Sequence, residues 1–563
     1  MLTFFLHIYP ANVYNAGVDD FSIEDPSEGE LRGFKAVEIQ GFSSGSINSY
    51  SGIKSSGAPV AAAPQKEAQA TSATPAPAAD QVSLGAAPEE KGNTVSLRLL
   101  HINDIHGAVQ DESGKGGLAK AATVFEREKA SAPGEVLTLN SGDLAEGSMI
   151  SYLTKGGVVA DALAAIGFDA IEPGNHDFAW GQQDLQNMLA DTNAPVLNAS
   201  ITREDGSTFG EPFMIRDIGG VKVGMVGIDV ENMSRYVSEE KLEGLTFHSS
   251  DETLETYIPK MKEAGADVIM VLSHVGFDED KRLAQKFPEI DVIVGGHSHT
   301  ELPEGHYEGN TLIVQSGTKG QFVGEVDLEL DLATKKIASA QARLIPVDAS
   351  VEPDPEVAKI VEAAATEAEA IGSKVMGQAT EDLSFSYWEA GKVNQIHADS
   401  LLEATGADIA LVSSRNPRGG ISAGEVTYED LFNAFPHTEE DAVVMRDVPG
   451  TRVLQEIEDR IKDNGRGPAT PGGFSYTYDP SLPEGHRVTD IRMPDGSKFD
   501  PNGRYTVATT VSMARKPNFK DLPDKQTVGS GQEIFMDYFS AHQGPWQDDP
   551  DSRVVKLGAE PKQ

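Results

Sequence analysis

Five short clusters of Asp, His and Asn constrain this 563-residue chain more than any other feature. They are Asp104-Ile-His106, Gly142-Asp143, Gly174-Asn175-His176-Asp177, Ser273-His274 and Gly295-Gly296-His297-Ser298-His299. Each follows an apolar, strand-like run, at 97–102, 135–139, 169–171, 268–272 and 292–294. This arrangement predicts that all five sit at strand ends of one sheet, where α/β folds build their sites. Helical stretches at 117–129, 157–166, 182–191 and 251–263 complete an alternating α/β pattern.

The clusters are rich in ligand-type side chains, among them Asp104, His106, Asp143, Asn175, His274, His297 and His299. Carboxylate and amide oxygens with imidazole nitrogens, and no thiols, suit hard-to-borderline divalent ions. A lone Asp-x-His or Gly-His-x-His is commonly just a polar turn closing a strand, but five such clusters in one context are what a built site requires. Two divalent ions roughly 3.5–4 Å apart would hold a phosphoryl oxygen between them and leave a bridging hydroxide in line with the leaving group. That arrangement needs one carboxylate shared by both ions, and Asp143 is the candidate.

The 88 acidic and 46 basic residues give a net charge of -42, which argues against a nucleic acid polymer as partner. Phosphate must then be captured locally, by metals and arginines. Cysteine is absent, which rules out disulfides and thiolate zinc sites. Residues 1–9 are apolar, but no Lys or Arg precedes Arg32 and Pro10 interrupts the run, so no secretory signal is legible. The run is also too short for a transmembrane helix. Residues 1–56 form an N-terminal segment of unknown role, and the Pro/Ala-rich 57–93 reads as a linker. A catalytic domain is expected over 94–350, a connecting helix over 351–375, a second domain over 376–557 and a tail over 558–563.

The order and wording of the clusters resemble the calcineurin-like metallophosphoesterases. From about residue 95 to 555 the chain is similar to their 5'-nucleotidase branch, which includes UDP-sugar hydrolases and cyclic-nucleotide phosphodiesterases. The resemblance implies a four-layer αββα sandwich followed by a smaller mixed α+β domain, and a pair of Mn, Zn or Co ions. It assigns Asp104, His106, Asp143 and His299 to one ion, and Asp143, Asn175, His274 and His297 to the other. His176 would stabilise the transferring phosphoryl group and protonate the leaving oxygen. Many relatives orient this histidine with an aspartate three residues later, where this chain has Ala179. Asp177 occupies the place of the family's usual Glu or Asp, and is grouped with His176 as a candidate catalytic residue. Work in the periplasm or outside the cell is implied by resemblance alone.

The second domain should read the substrate, a nucleotide or another small phosphoester. Residues 424–436 fit the family segment and anchor the register, so that Arg418 matches a family arginine. Ser413 stands where an asparagine is expected, His437 where a first stacking Phe is expected, and Trp388 where another arginine is expected. A second stacking position falls near 510–519 without a clear candidate. Arg415 and Arg418 straddle the turn Asn416-Pro417 and are taken with Trp388 as substrate-binding residues; Trp388 and Phe474 are alternative stacking surfaces. His101 reads as a core or supporting histidine, and His248, His306, His486 and His542 as surface residues. Three functions stay open: a nucleotide phosphohydrolase, a phosphoesterase on non-nucleotide phosphoesters or sugar-nucleotide pyrophosphates, and a surface interaction protein with weak hydrolysis.

Overall fold

The computed structural model describes residues 93–436, 440–462, 467–548 and 553–558. The strand Thr94–Ile102 shows how its sequence sets the layers. Leu97 and Leu99 point to one face, Leu100 and Ile102 to the other, and all four are fully buried. A strand apolar on both faces must be covered on both.

Its sheet has the order Lys336–Pro346, Phe322–Asp331, Thr94–Ile102, Glu135–Ser141, Ala170–Glu172. The last three strands run parallel, and an antiparallel hairpin closes the edge. A second sheet has the order His306–Glu308, Thr311–Val314, Val292–Gly295, Val268–His274, Val221–Asp229, Phe213–Ile218, with four parallel central strands. The sheets face each other through Leu97, Leu99, Leu139, Met225, Met270, Leu272 and Val294. Helices Leu118–Ser131, Gly157–Ile166, Gln182–Asp191 and Pro355–Gly372 cover the outside of the first sheet. Helices Ser250–Glu263 and Phe277–Lys286 cover the second. The four-layer αββα sandwich is therefore the observed fold.

Two sheets, not one, carry the ligand clusters, which corrects the single-sheet expectation. Asp104, Asp143 and Asn175 follow strands of the first sheet, whereas His274 ends one strand of the second and His297 follows another. The periodicity marks each strand as buried but carries no information about which neighbour it pairs with.

The C-terminal half is a mixed α+β structure. Its main sheet has the order Ala469–Gly472, Ile409–Ser413, Arg504–Thr510, Asp441–Pro449, Lys525–Ser530. Helices Lys392–Thr405, Gly450–Lys462 and Gly531–His542 accompany it. Helix Pro355–Gly372 begins at Asp354, whose carboxylate accepts from Glu356 and Val357 N–H, with Pro355 at its first turn. It packs on the first sheet's helical layer through Val357, Val361 and Ala368, and its end, Gly372, lies against Met149 and Glu429. The halves also meet at Lys241–Asp441 (3.1 Å), Tyr152 Oη–Glu533 (3.3 Å) and Arg515 Nη2–Val237 O (2.7 Å). The described residues all fall in one compact unit. The expectations for residues 1–92 and for His437 fall outside the described residues.

Candidate metal centre

Close convergence of strand ends from facing sheets demands residues without side-chain bulk. A Cβ on Gly142 would stand 2.4 Å from His274 Nδ1, and one on Gly174 would stand 2.4 Å from Asp143 N and Oδ1. The loops also hold non-glycine residues in the left-handed region: Asp104 (φ 51°), His106 (φ 50°), Asp143 (φ 52°), His297 (φ 70°) and His299 (φ 53°). Each such conformation costs on the order of 1–2 kcal/mol, and five of the seven candidate ligands adopt it. Strain of this kind concentrates at functional sites, because the surrounding fold must hold it in place.

Three clusters of ligand atoms result, each within 4.8 Å: Asp104, His106 and His299; His106, Asp143 and His176; Asp143, His274 and His297. Asp143 Oδ2 lies 3.1 Å from His274 Nε2 and 3.8 Å from His106 Nε2, which puts this carboxylate between the groups. Its Oδ1 accepts the His176 backbone N–H at 2.8 Å. Asp104 accepts His297 N–H at 3.0 Å and the Asn103 amide at 2.6 Å.

The imidazoles are aimed by contacts on their far sides. His274 Nδ1 lies 2.7 Å from Ser141 O and His106 Nδ1 lies 3.1 Å from Glu146 O, each a contact in which the ring N–H donates to a carbonyl. Tyr236 Oη lies 3.3 Å from His297 Nε2. Burial lowers the pKa of His106, and lowers that of His297 to about 4. Burial opposes ionisation of Asp143, but the imidazoles of His274, His176 and His106 outweigh it and hold the carboxyl well below its usual value.

These residues fit divalent ions. Among the described residues, buried Asn175 has neither amide atom hydrogen-bonded. Leaving such groups unsatisfied costs about 1–3 kcal/mol each, a cost that coordination removes.

His176 packs edge-on against His106, with ring centroids 5.0 Å apart. Its Nδ1 lies 2.5 Å from Glu146 Oε2. Asp177, the other catalytic candidate, does not face it. Asp177 Oδ1 accepts from Leu144 and Ala145 N–H at 2.8 and 3.1 Å, and Oδ2 from Gly174 N–H at 2.9 Å. Its carboxylate is consumed in clipping the 142–146 loop to the 174–178 turn. Burial and the neighbouring Asp143 raise its pKa to about 7.

The calcineurin-like phosphoesterase family matches residues 97–301, and the 5'-nucleotidase C-terminal domain matches residues 375–518. The chain thus carries a calcineurin-like phosphoesterase domain followed by a 5'-nucleotidase C-terminal domain. It is 28% identical over 492 residues to "Endonuclease YhcR" of Bacillus subtilis, covering 80% of this chain and 39% of that protein. It thus spans about two-fifths of that relative's length. It is 25% identical to "Protein UshA" of Yersinia enterocolitica, covering 83% of this chain and 95% of that one. The fold is similar to that of a putative 5'-nucleotidase from Staphylococcus aureus, with TM-score 0.71, 22% identity, and coverage of 82% and 99%.

The three expected substrate residues lie together in the C-terminal half. Trp388 is 54% exposed, on a turn whose Ser386 Oγ accepts from Trp388 and Glu389 N–H. Arg415 and Arg418 are exposed; Arg415 stands 5.8 Å from the Tyr387 ring centroid, and Arg418 donates to Arg415 O. Phe474 is buried against Tyr476 and Phe499, and Phe519 is fully buried in the same core, so neither offers a stacking face. Ser413 is buried and accepts from Arg460. His101 is buried in the core beneath Gly324, whereas His486 and His542 are exposed and His248 and His306 half-buried.

Sequence reasoning missed Glu146, Tyr236 and Asn103. Their partners lie 30 and 61 residues away for Glu146 and Tyr236, beyond any local spacing rule. Asn103, adjoining Asp104, was the one with a readable position.

Proposed function

We propose that this chain is a metal-dependent phosphohydrolase that releases phosphate from small nucleotides. One observation carries the reading: ligand-type atoms from two sheets converge on Asp143, with His176 against the same cluster. Asp104, His106, Asp143 and His299 would hold one divalent ion, and Asp143, Asn175, His274 and His297 a second, with Mn, Zn or Co suiting this donor set. When bound, such ions supply Lewis acidity toward the phosphoryl oxygens and lower the pKa of coordinated water.

The chain's own residues supply the rest. Ser141 O and Glu146 O keep the His274 and His106 rings in a fixed tautomer, so no reorganisation is needed when phosphate arrives. His176 holds a proton at Nε2 for the leaving oxygen. Arg415 and Arg418 would attract the substrate anion, and Trp388 would lie against its base.

Relatives named for nucleotidase activity support the nucleotide reading. One relative is named an endonuclease, but a net charge of -42 favours small substrates over polynucleotides. Burial of Phe474 and Phe519 favours one further reading, a phosphoester gripped without a two-sided base sandwich. Among the described residues no helix is long and apolar enough to cross a membrane. Family resemblance supports work in the periplasm or outside the cell. Phosphate release by the Mn-loaded protein from 5'-AMP, 3'-AMP, 2',3'-cyclic AMP, UDP-glucose and p-nitrophenyl phosphate, with a coupling phosphatase for the diesters, tests the reading. Preference for one nucleotide supports it; turnover of the aryl phosphate alone would leave only the phosphoesterase.

A further inference from the structure

We infer that Glu146 is the positioning residue of His176, supplied from a different loop of the sheet, and that the pair serves substrates whose leaving group is an alkoxide. This rests on the phosphohydrolase reading above and adds to it the residue that aims the proton donor.

Three contacts build the pair. Glu146 Oε2 lies 2.5 Å from His176 Nδ1, and the Glu146 side chain is only 4% exposed against 27% for His176. The backbone carbonyl of the same residue lies 3.1 Å from His106 Nδ1, so one residue fixes both a candidate metal ligand and the proton donor. Asp177 makes this placement rigid, because its carboxylate binds the N–H groups of Leu144 and Ala145, the two residues before Glu146. Gly147 lets the chain pass, since a Cβ there would stand 2.6 Å from His106 O. A buried carboxylate on Nδ1 commits that nitrogen to donating and turns Nε2 toward the reacting side, the role a third group plays for any histidine acid.

In the reaction, a water oxygen forms a bond to phosphorus and the bond from phosphorus to the leaving oxygen breaks. The water's proton goes to solvent, and the leaving oxygen takes its proton from His176 Nε2. Glu146 stabilises the charged ring before the transfer and keeps its Nδ1 proton throughout. An alkoxide, such as a ribose 5'-oxygen, depends on that proton; p-nitrophenolate departs without it.

The test compares 5'-AMP with p-nitrophenyl phosphate in metal-loaded wild type, Glu146→Gln and Glu146→Asp. Glu146→Gln should lower kcat for 5'-AMP by about 10²-fold with KM nearly unchanged, while the aryl phosphate loses less than about threefold. Glu146→Asp should recover part of the loss. Metal content should stay at the wild-type value in both, because the carbonyl that holds His106 belongs to the backbone. In the zinc-loaded protein, the downfield imidazole N–H resonance of His176 should shift in Glu146→Gln. Equal losses on both substrates, no loss on either, or loss of metal would each overturn the inference. Wild-type protein inactive on every phosphoester would instead overturn the phosphohydrolase reading, and the inference with it.

Discussion

His106 Nε2 and His299 Nε2 lie 3.0 Å apart, on loops separated by 193 residues. Two imidazole nitrogens held this close, with Asp104 Oδ1 3.4 Å from the second, form a focus for a cation. The energy that brings them there comes from the packed sandwich, which also bears the left-handed backbone at both histidines.

Metal should therefore stabilise the fold as well as activate it. At a free ion concentration a hundred times Kd, binding to the folded state alone adds about 2.7 kcal/mol. Calorimetry with and without chelator should show a metal-dependent rise in Tm, and elemental analysis two ions per chain. Asp143→Asn should bind fewer ions and lose the rise in Tm.

Gly174→Ala separates geometry from chemistry. The new Cβ would stand 2.4 Å from Asp143 N and Oδ1, so Asp143 must shift. A misplacement of about 1 Å costs on the order of 10²-fold in rate. The variant should keep its far-UV circular dichroism while losing phosphate release and metal affinity.

Two buried histidines predict acid sensitivity. Burial lowers the pKa of His397 to about 3 and that of His101 to about 4. Unfolded, each titrates near 6.5, so the unfolded chain binds protons that the folded chain refuses. Their contribution is fully present above about pH 6.5 and is lost as pH falls toward the folded values. Each histidine costs about 1.4 kcal/mol per pH unit in that window. Among the described residues, neither ring nitrogen of His397 has a hydrogen-bond partner, and its ring packs 4.5 Å from Phe435. His397→Leu should remove about 2 kcal/mol of the loss between pH 6.5 and 5, measured by urea denaturation.

Trp388→Ala tests the substrate surface. The side chain is 54% exposed, so stability should change by less than about 0.5 kcal/mol. Loss of one stacked base contact, about 1–3 kcal/mol, should raise KM for 5'-AMP roughly tenfold and leave p-nitrophenyl phosphate unaffected.

The elements that build the centre were legible because their residues obey local rules. Helices predicted at 157–166 and 182–191 occur as Gly157–Ile166 and Gln182–Asp191, and each ligand cluster does lie at the end of its strand. The partition of those strands between two sheets was not legible, since Val268–His274 and Glu135–Ser141 are both continuous buried runs and only tertiary pairing separates them. Nor was the role of Asp177: its sequence position left open whether it faces His176, and its oxygens take the backbone N–H groups of Leu144 and Ala145 instead. Phe474, an alternative stacking surface by sequence, lies enclosed in the C-terminal core together with Phe519.

The measurement closest to the central claim is phosphate release from 5'-AMP during titration of chelator-stripped protein with Mn, for wild type and Asp143→Asn. Release that rises with metal occupancy in the wild type and stays near background in the variant is the predicted result. Release that is independent of metal, or equal in the two proteins, would contradict a centre built around Asp143.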